Sequence, residues 1–130
     1  MASEAQRLTV RAIAAAAAAA RLAGCERLEP SGLLGPGDLE GLCERGQCFE
    51  IEGAASAVYV LTVHNGVVWV DALKGESGQV DVLEALDAVV TAQAAGGRAI
   101  AFQTKRRGLV AALKTRGYRV SGWILKKDLQ

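Results

Sequence analysis

The chain has 130 residues, a formal net charge of +1 and an apolar fraction of 51%, which is enough for one hydrophobic core and excludes a disordered composition. Aromatic residues make up 5%, so stacking is excluded as the main means of holding a ligand. Three cysteines and one histidine are too few for a disulfide scaffold or a zinc site. We therefore expect a single domain over residues 1–130, without a metal and with reduced cysteines, in the cytoplasm.

The charge is divided unevenly along the chain. Residues 98–130 hold nine basic residues and one acidic residue, a balance of +8, so a whole-chain charge of +1 leaves −7 for residues 1–97. A basic region of this kind attracts a polyanion even when the total charge is near zero. Three partners fit: a phosphorylated cofactor, a nucleic acid, or the acidic part of the same protein.

The beginning of the chain allows two interpretations. Ser3 and Gln6 fit a capping box and Gly24 suits a helix end, which predicts one helix over about residues 4–23. Alternatively, Leu8–Arg11 is a short strand that leads into an alanine helix. Alanine is neutral in the hydrophobic pattern, so the sequence leaves both interpretations open.

The seven alanines at positions 14–20 predict a helix with a thin layer of side chains. Arg11 and Arg21 enclose only nine uncharged residues, whereas a membrane span needs about 20, so we expect no membrane helix here. Glycine and proline then predict a loop over 30–37. Residues 1–37 are thus an expected N-terminal helix and loop, ahead of a core over 47–129.

From residue 38 onwards, glycines and changes of hydrophobic period separate the elements. Asn65 and Gly66 both tolerate a positive φ and predict a tight hairpin between two β-rich runs. The predicted elements are a helix from Asp38 to Glu44 or Arg45, strands Cys48–Glu52, Ala57–Val63 and Val67–Ala72, a loop Leu73–Gln79, a helix Val80–Ala95, a strand Arg98–Gln103, a helix Arg107–Arg116 and a strand Tyr118–Lys126.

This order is an antiparallel meander followed by β-α-β-α-β. A strand–helix–strand unit of these lengths makes a right-handed crossover between parallel strands. The sequence therefore predicts an α/β (α+β) domain with a mixed, twisted central sheet flanked by helices.

The same order, over 47–129, resembles the core of the GCN5-related N-acetyltransferases. In that family a meander leads into a helix, a parallel strand, a second helix and an antiparallel strand. The segment Gly108–Gly122 is similar to the family's late helix, with Gly117 and Tyr118 in place of its frequent Gly-Phe. The phrase Phe-Gln-Thr at 102–104 also resembles small acetyltransferase-like proteins of tailed bacteriophages.

The resemblance implies acetyl-CoA as co-substrate, with its pyrophosphate on the loop between the fourth strand and the next helix. The N–H groups at a helix N-terminus make that end an anion site. Lys74 stands at the basic position of the family signature, whereas Ser77 and Gln79 stand where Gly, or Gly or Ala, is expected. The residues implied to bind the cofactor are Leu73, Lys74, Gly75, Ser77, Gly78, Gln79, Arg106 and Arg107.

Each of these groups also has a purely structural interpretation. Glu76 and Asp81 repel phosphates and suit an empty helix N-terminus, so the stretch fits an ordinary glycine loop capped by acids. The cluster Lys105–Arg107 either contacts the adenosine phosphate or neutralises the acidic first half. Nucleic-acid binding is disfavoured, because the basic residues do not form one stripe and lack interleaved aromatics.

The catalytic groups are fewer than the family uses. Its frequent tyrosine, which reprotonates the departing thiolate, corresponds here to Leu113, which transfers no proton. The available general bases are Glu50, Glu52, His64 and Asp71, of which Asp71 on the fourth strand is the first choice. Asp71 otherwise fits a solvated or arginine-paired surface residue.

We therefore predict an acyl-CoA-dependent N-acetyltransferase that binds a CoA thioester and an amine acceptor and no membrane, and the sequence leaves open whether its activity is full or impaired. The alternative is a non-catalytic interaction or virion-associated protein of the same fold, in the host cytoplasm or the virion if phage-encoded. A homo-oligomer or a protein partner is left open. The chemistry requires a groove where Val67–Leu73 and Arg98–Gln103 diverge.

Overall fold

A computed structural model describes residues 8–23, 38–53, 55–78, 82–103 and 107–122, together with 125, 127 and 129. In these residues five strands form one mixed sheet in the order β1-β2-β3-β4-β5, with only the last pair parallel. Helices cover both faces, which confirms the predicted fold class. The elements are β1 Leu8–Ala12, α1 Ala15–Arg21, α2 Asp38–Arg45, β2 Gln47–Gly53, β3 Ala55–His64, β4 Val67–Gly78, α3 Val82–Gln93, β5 Ala99–Phe102 and α4 Arg107–Lys114.

The N-terminal segment follows the second of the two sequence interpretations. β1 is a strand, and the alanine helix begins only at Ala15. Residues 8–12 are a strand because they pair antiparallel with the edge of β2, from Leu8 opposite Gly53 to Ala12 opposite Phe49. A tertiary partner of this kind overrides the helix propensity of a short segment.

The hairpin between β3 and β4 is confirmed, and the loop predicted after it is wrong. Asn65 and Gly66 have φ of 53° and 79°, both positive, as the tight turn requires. The stretch predicted as a loop from residue 73 instead continues β4 to Gly78, because β3 supplies partners as far as Ala55. Register shifts along this pair let β4 hold extra residues without leaving the sheet.

The structure also differs from the prediction of a final strand over Tyr118–Lys126. Residues 118–122 are described and form no strand, while 123, 124 and 126 lie outside the described part. α4 ends where Gly117 adopts a φ of 90° and the Tyr118 N–H donates to the Leu113 carbonyl over 3.2 Å. The Tyr118 ring then packs edge-on against Phe102, with ring centroids 5.4 Å apart. This contact holds the chain against β5 at Tyr118.

Each face of the sheet carries its own core. The α3/α4 face packs α3 and α4 on the sheet around the fully buried Tyr59 and Leu86. The α1/α2 face packs α1 and α2 around Val58 and Val60. Alternation along the strands assigns each side chain to one face. No described helix is long and apolar enough to cross a membrane.

Gly46 is required where α2 turns into β2. A Cβ at this position would lie 2.5 Å from Val60 Cγ1 and 3.0 Å from the Leu61 carbonyl oxygen. Gly46→Ala is therefore expected to lower the free energy of unfolding by about 1–3 kcal/mol through overpacking, measured by denaturant titration. The control is Gly108→Ala in α4, where a Cβ meets nothing within 4 Å. Because alanine has the higher helix propensity, this variant should be as stable as wild type or more stable, by at most about 1 kcal/mol. Equal stability of both variants would contradict the close approach.

Candidate functional site

The central feature of the site is a fork, defined here as the point where pairing between β4 and β5 ends, at Val70 and Phe102. The parallel register runs from Val67 opposite Ala99 to Val70 opposite Phe102. β5 ends there, while β4 continues to Gly78. The two segments are therefore not paired along their full predicted length, and β5 does not occupy the space beside the rest of β4.

A β-bulge places Asp71 at the fork. In the β3–β4 register Leu61 lies opposite Val70 and Val60 lies opposite Ala72, so Asp71 is an extra residue. Bulges bend a strand, increase its twist and redirect a side chain. The Asp71 side chain is exposed, and its Oδ2 accepts a hydrogen bond from Thr62 Oγ1. The predicted general base thus lies where β4 leaves its parallel neighbour.

Trp69 shares a face with this carboxylate. Trp69 lies directly opposite Thr62 on β3 and beside Ala101 on β5, and directly paired residues point to the same face of a sheet. This is the α1/α2 face, since Thr62 alternates with the buried Val60. The half-buried Trp69 ring, with only an alanine beside it on β5, adds an apolar surface next to a negative charge. Sequence reasoning selected Asp71 and missed Trp69 and Thr62, because their meeting depends on register.

The start of α3 lies against β4 on the other face. A Cβ at Gly75 would be 3.2 Å from Val82 Cγ1, so glycine allows the first residue of α3 to approach the strand closely. Glu84, in the first turn of α3, pairs with Arg116 over 3.6 Å. A guanidinium from the turn that follows α4 therefore lies at the α3 N-terminus. Nothing in the sequence signals that Arg116 lies in this place, since its position depends on how α4 packs.

The residues predicted to bind the cofactor fall in several places. Leu73 packs against the core of the α3/α4 face. Lys74 is exposed and lies opposite Val58, which places it on the α1/α2 face, away from α3. Arg107 is exposed at the first residue of α4. The structure thus puts Leu73 and Lys74 on opposite faces of β4.

The rest of the predicted cofactor set lies near the end of β4 or outside the described residues. Ser77 and Gly78 are the last two residues of β4, opposite Ser56 and Ala55. Gln79 and Arg106 are not among the described residues. The cofactor role of the whole set stays a prediction.

Among the other candidate bases, Glu50 is already bound by two arginines. Its side chain is 7% exposed and pairs with Arg11 of β1 and Arg21 of α1. These hydrogen bonds, from Arg21 first and then Arg11, hold the pKa of Glu50 below its usual value. Arg21 also reaches Glu52 over 3.5 Å. These charges tie β1 and α1 to β2 and leave Glu50 unsuited to take a proton, while His64 is exposed at the end of β3.

No tyrosine of the chain is poised as a proton donor. The chain has two tyrosines. The Tyr59 hydroxyl donates to Gln93 Oε1 and the Tyr118 hydroxyl to Asp87 Oδ1, each over 2.8 Å. Burial raises the pKa of Tyr59 to about 12, and burial with the adjacent Asp87 raises the pKa of Tyr118. Leu113, at the family's tyrosine position, is 5% exposed and belongs to the core.

Two cysteines lie in the α1/α2 core. Cys43 and Cys48 are both buried, and the Cys48 thiol donates to the Cys43 carbonyl over 3.3 Å. Burial raises the pKa of Cys43 to about 11, which leaves almost no reactive thiolate near neutral pH. The described part of the chain contains no group of three or more His, Cys, Asp or Glu side chains arranged to hold a metal ion.

Solved structures of low sequence identity share this architecture. AAC(6′)-Iy, in complex with the bisubstrate analogue CoA-S-monomethyl-acetylneamine, is 15% identical with a TM-score of 0.56, over 95% of this chain and 99% of that chain. A predicted acetyltransferase from Clostridium acetobutylicum, with acetyl-CoA, is 12% identical with a TM-score of 0.55, over 95% and 97%. No protein-family model and no curated sequence matches the chain. The chain has the fold of these two acetyltransferases, which confirms the fold implied by its resemblance to the GCN5-related N-acetyltransferases.

The ion pairs of Glu50 make stability depend on pH. Because the pKa of Glu50 is lower in the folded state than its ordinary value of 4.5, its contribution is present above about that pH and is lost as the pH falls through the folded-state pKa. We expect Glu50→Gln to melt below wild type at pH 7, and the difference in melting temperature to shrink as the pH falls below 4.5.

The matched control is Glu44→Gln, on the exposed side of α2. Its free energy of unfolding at neutral pH should lie within about 0.5 kcal/mol of the wild-type value, as is usual for surface substitutions. If the difference in melting temperature between Glu50→Gln and wild type stays constant with pH, the destabilisation comes from lost packing and not from lost charge.

Proposed function

We propose that this chain is an acyl-CoA-dependent N-acetyltransferase, which transfers an acetyl group from acetyl-CoA to an amine. The observation that carries the proposal is the fork. β4 runs eight residues past its last pair with β5, from Asp71 to Gly78. A ligand with amide groups can lie beside an extended strand and pair with its main chain, as an added strand does. The pantetheine arm of CoA has two such amides.

The thioester would lie next to Asp71. A main-chain N–H of β4 near the fork would then polarise the thioester carbonyl and stabilise the oxyanion that forms when the amine attacks. Binding both reactants on one strand also fixes their orientation, which converts a two-body encounter into a reaction within one complex. The tetrahedral intermediate collapses by breaking the carbon–sulfur bond, which leaves the amide product and a CoA thiolate.

The phosphates of the cofactor would lie at the start of α3. The N-terminal end of a helix attracts anions through its N–H groups and its dipole. Gly75 brings this end against β4, and Arg116 supplies a positive charge there once it exchanges Glu84 for a phosphate. Arg107, exposed at the start of α4, would contact the adenosine phosphate. Lys74 would contribute only by reaching around β4 from the α1/α2 face.

Asp71 would accept the proton of the acceptor ammonium, directly or through one water. Thr62 holds the carboxylate in one orientation by its hydrogen bond. Trp69 on the same face offers its ring to the carbon skeleton or the positive charge of the acceptor. These groups favour a cationic amine with an apolar portion over a neutral or acidic acceptor.

A non-catalytic interaction protein, in the cytoplasm or in a virion, is the second candidate. One observation favours it: Leu113 is buried at the family's proton-donor position, and the two tyrosine hydroxyls are bound to Gln93 and Asp87. A departing thiolate would then be protonated by water alone. Such a protein would keep the fold for binding and would not turn over substrate.

Acetyl-CoA should raise the melting temperature of the protein. A ligand at one hundred times its Kd stabilises the native state by about 2.7 kcal/mol. We expect Arg116→Ala to reduce the shift, with Arg45→Ala, at the end of α2, as the control. Lys74→Ala tests the sequence prediction: an unchanged shift would reject Lys74 as a phosphate ligand. The absence of any shift at millimolar acetyl-CoA would contradict the proposed function.

Asp71→Asn tests the catalytic step separately from cofactor binding. It should lower kcat/KM for an amine acceptor by about 10²- to 10⁴-fold, the range of a general base, and leave the acetyl-CoA melting shift unchanged. Glu40→Gln, exposed on α2, is the control. Full activity in Asp71→Asn would remove Asp71 from the mechanism. A wild-type protein that binds acetyl-CoA and acetylates no cationic amine would support the non-catalytic candidate.

A further inference from the structure

The stretch of β4 beyond the fork carries two opposite charges on one face. Asp71 lies on the α1/α2 face, where it accepts a hydrogen bond from Thr62. Lys74 lies on the same face, because it is opposite Val58, which is buried in the core of that face. Both charged side chains are exposed, and β5 has already ended at Phe102. A molecule bound at Asp71 along this face therefore lies near a positive charge.

The surface between the two charges is short and apolar. Asp71 and Lys74 are three residues apart, so at the usual rise of a strand their Cα atoms are at most about 10 Å apart. Of the two residues between them, Ala72 packs against the core of the α1/α2 face and Leu73 against the core of the other face. A small apolar side chain thus separates a carboxylate from an ammonium. The flexible stem of Lys74 lets its ammonium adjust to ligands of different length.

The positive charge of Lys74 is available to a ligand. Glu50 lies in the same row of the sheet, since Glu50 and Lys74 are both opposite Val58 on β3. Two strand spacings, about 9–10 Å, separate them, and the Glu50 carboxylate is already held by two arginines. Among the described residues, neither Lys74 nor Asp71 forms an ion pair.

The same geometry separates Lys74 from the proposed phosphate site. α3 begins on the other face of β4, where Gly75 lets Val82 approach the strand closely. A lysine that bound the phosphates would have to reach around the strand, whereas an acceptor at Asp71 lies on the face of Lys74 itself. The acceptor is therefore the ligand that this lysine fits better.

We propose that Lys74 determines acceptor specificity by binding an anionic group, so that the acceptor is an amine joined through a short carbon chain to a carboxylate. This inference rests on the proposed function, in which Asp71 receives the acceptor ammonium. The carboxylate of the acceptor lies at Lys74 and its carbon chain over Ala72. Charges that match at both ends fix the direction of the acceptor along β4 and reject amines of the same length that lack the anion.

The test compares two amines of equal chain length, ε-aminocaproate and hexylamine, which differ in the terminal carboxylate. Their binding to the full chain is measured by isothermal titration calorimetry at low salt, with and without acetyl-CoA. We expect ε-aminocaproate to bind about 3- to 5-fold more tightly, the contribution of one exposed ion pair. This preference should fall as added salt screens the charges.

Substitutions at Lys74 assign the preference to this residue. Lys74→Ala should remove it, and Lys74→Glu should reverse it, because a negative charge at this position repels the carboxylate. The matched control is Lys114→Ala, exposed at the end of α4, which should keep the wild-type preference.

Four results would overturn the inference. They are no binding of ε-aminocaproate at millimolar concentration, equal binding of the two amines by wild type, a preference that persists in Lys74→Ala, and a preference lost equally in Lys114→Ala. The proposed function fails separately. A protein that prefers ε-aminocaproate and acetylates neither amine keeps this acceptor site and loses the enzymatic proposal. One that acetylates both amines equally well keeps the enzymatic proposal and removes Lys74 from acceptor recognition.

Discussion

The structure depends most on where the parallel pairing of β4 and β5 stops. Four residues of each strand form the ladder, and the extra residue at Asp71 bends β4 at the place where β5 has run out. Pairing with β3 continues past this point, so β4 stays in the sheet as far as Gly78 although β5 no longer pairs with its other side.

The two faces of the sheet then take different roles. On the α1/α2 face, the paired arginines of Glu50 fasten β1 and α1, and small alanines let α1 lie close to the sheet. On the α3/α4 face, Arg116 and Tyr118 connect the end of α4 to Glu84 and Asp87 of α3. The proposed acceptor site and cofactor site consequently lie on opposite sides of one strand and meet only at the fork.

The sequence predicted the elements whose signals are local. The turn at Asn65 and Gly66, the helices and the mixed sheet were all readable from period and glycine placement. The errors came from pairing. The glycines at 75 and 78 indicate a loop until β3 is known to run alongside them, and Arg116 has no visible link to α3 until α4 is packed. Asp71 could be chosen by alternation, but its bulge could not, because a bulge exists only in the register of two strands.

The bulge also has a consequence for how such a protein changes over evolutionary time. A residue within a ladder is constrained by its neighbours, since its size and polarity must suit a partner opposite. Asp71 has no residue opposite it on β3 and its side chain points into solvent. Its identity can therefore vary at little cost in stability, so a lineage can acquire, lose or exchange reactive groups at this position while the scaffold persists.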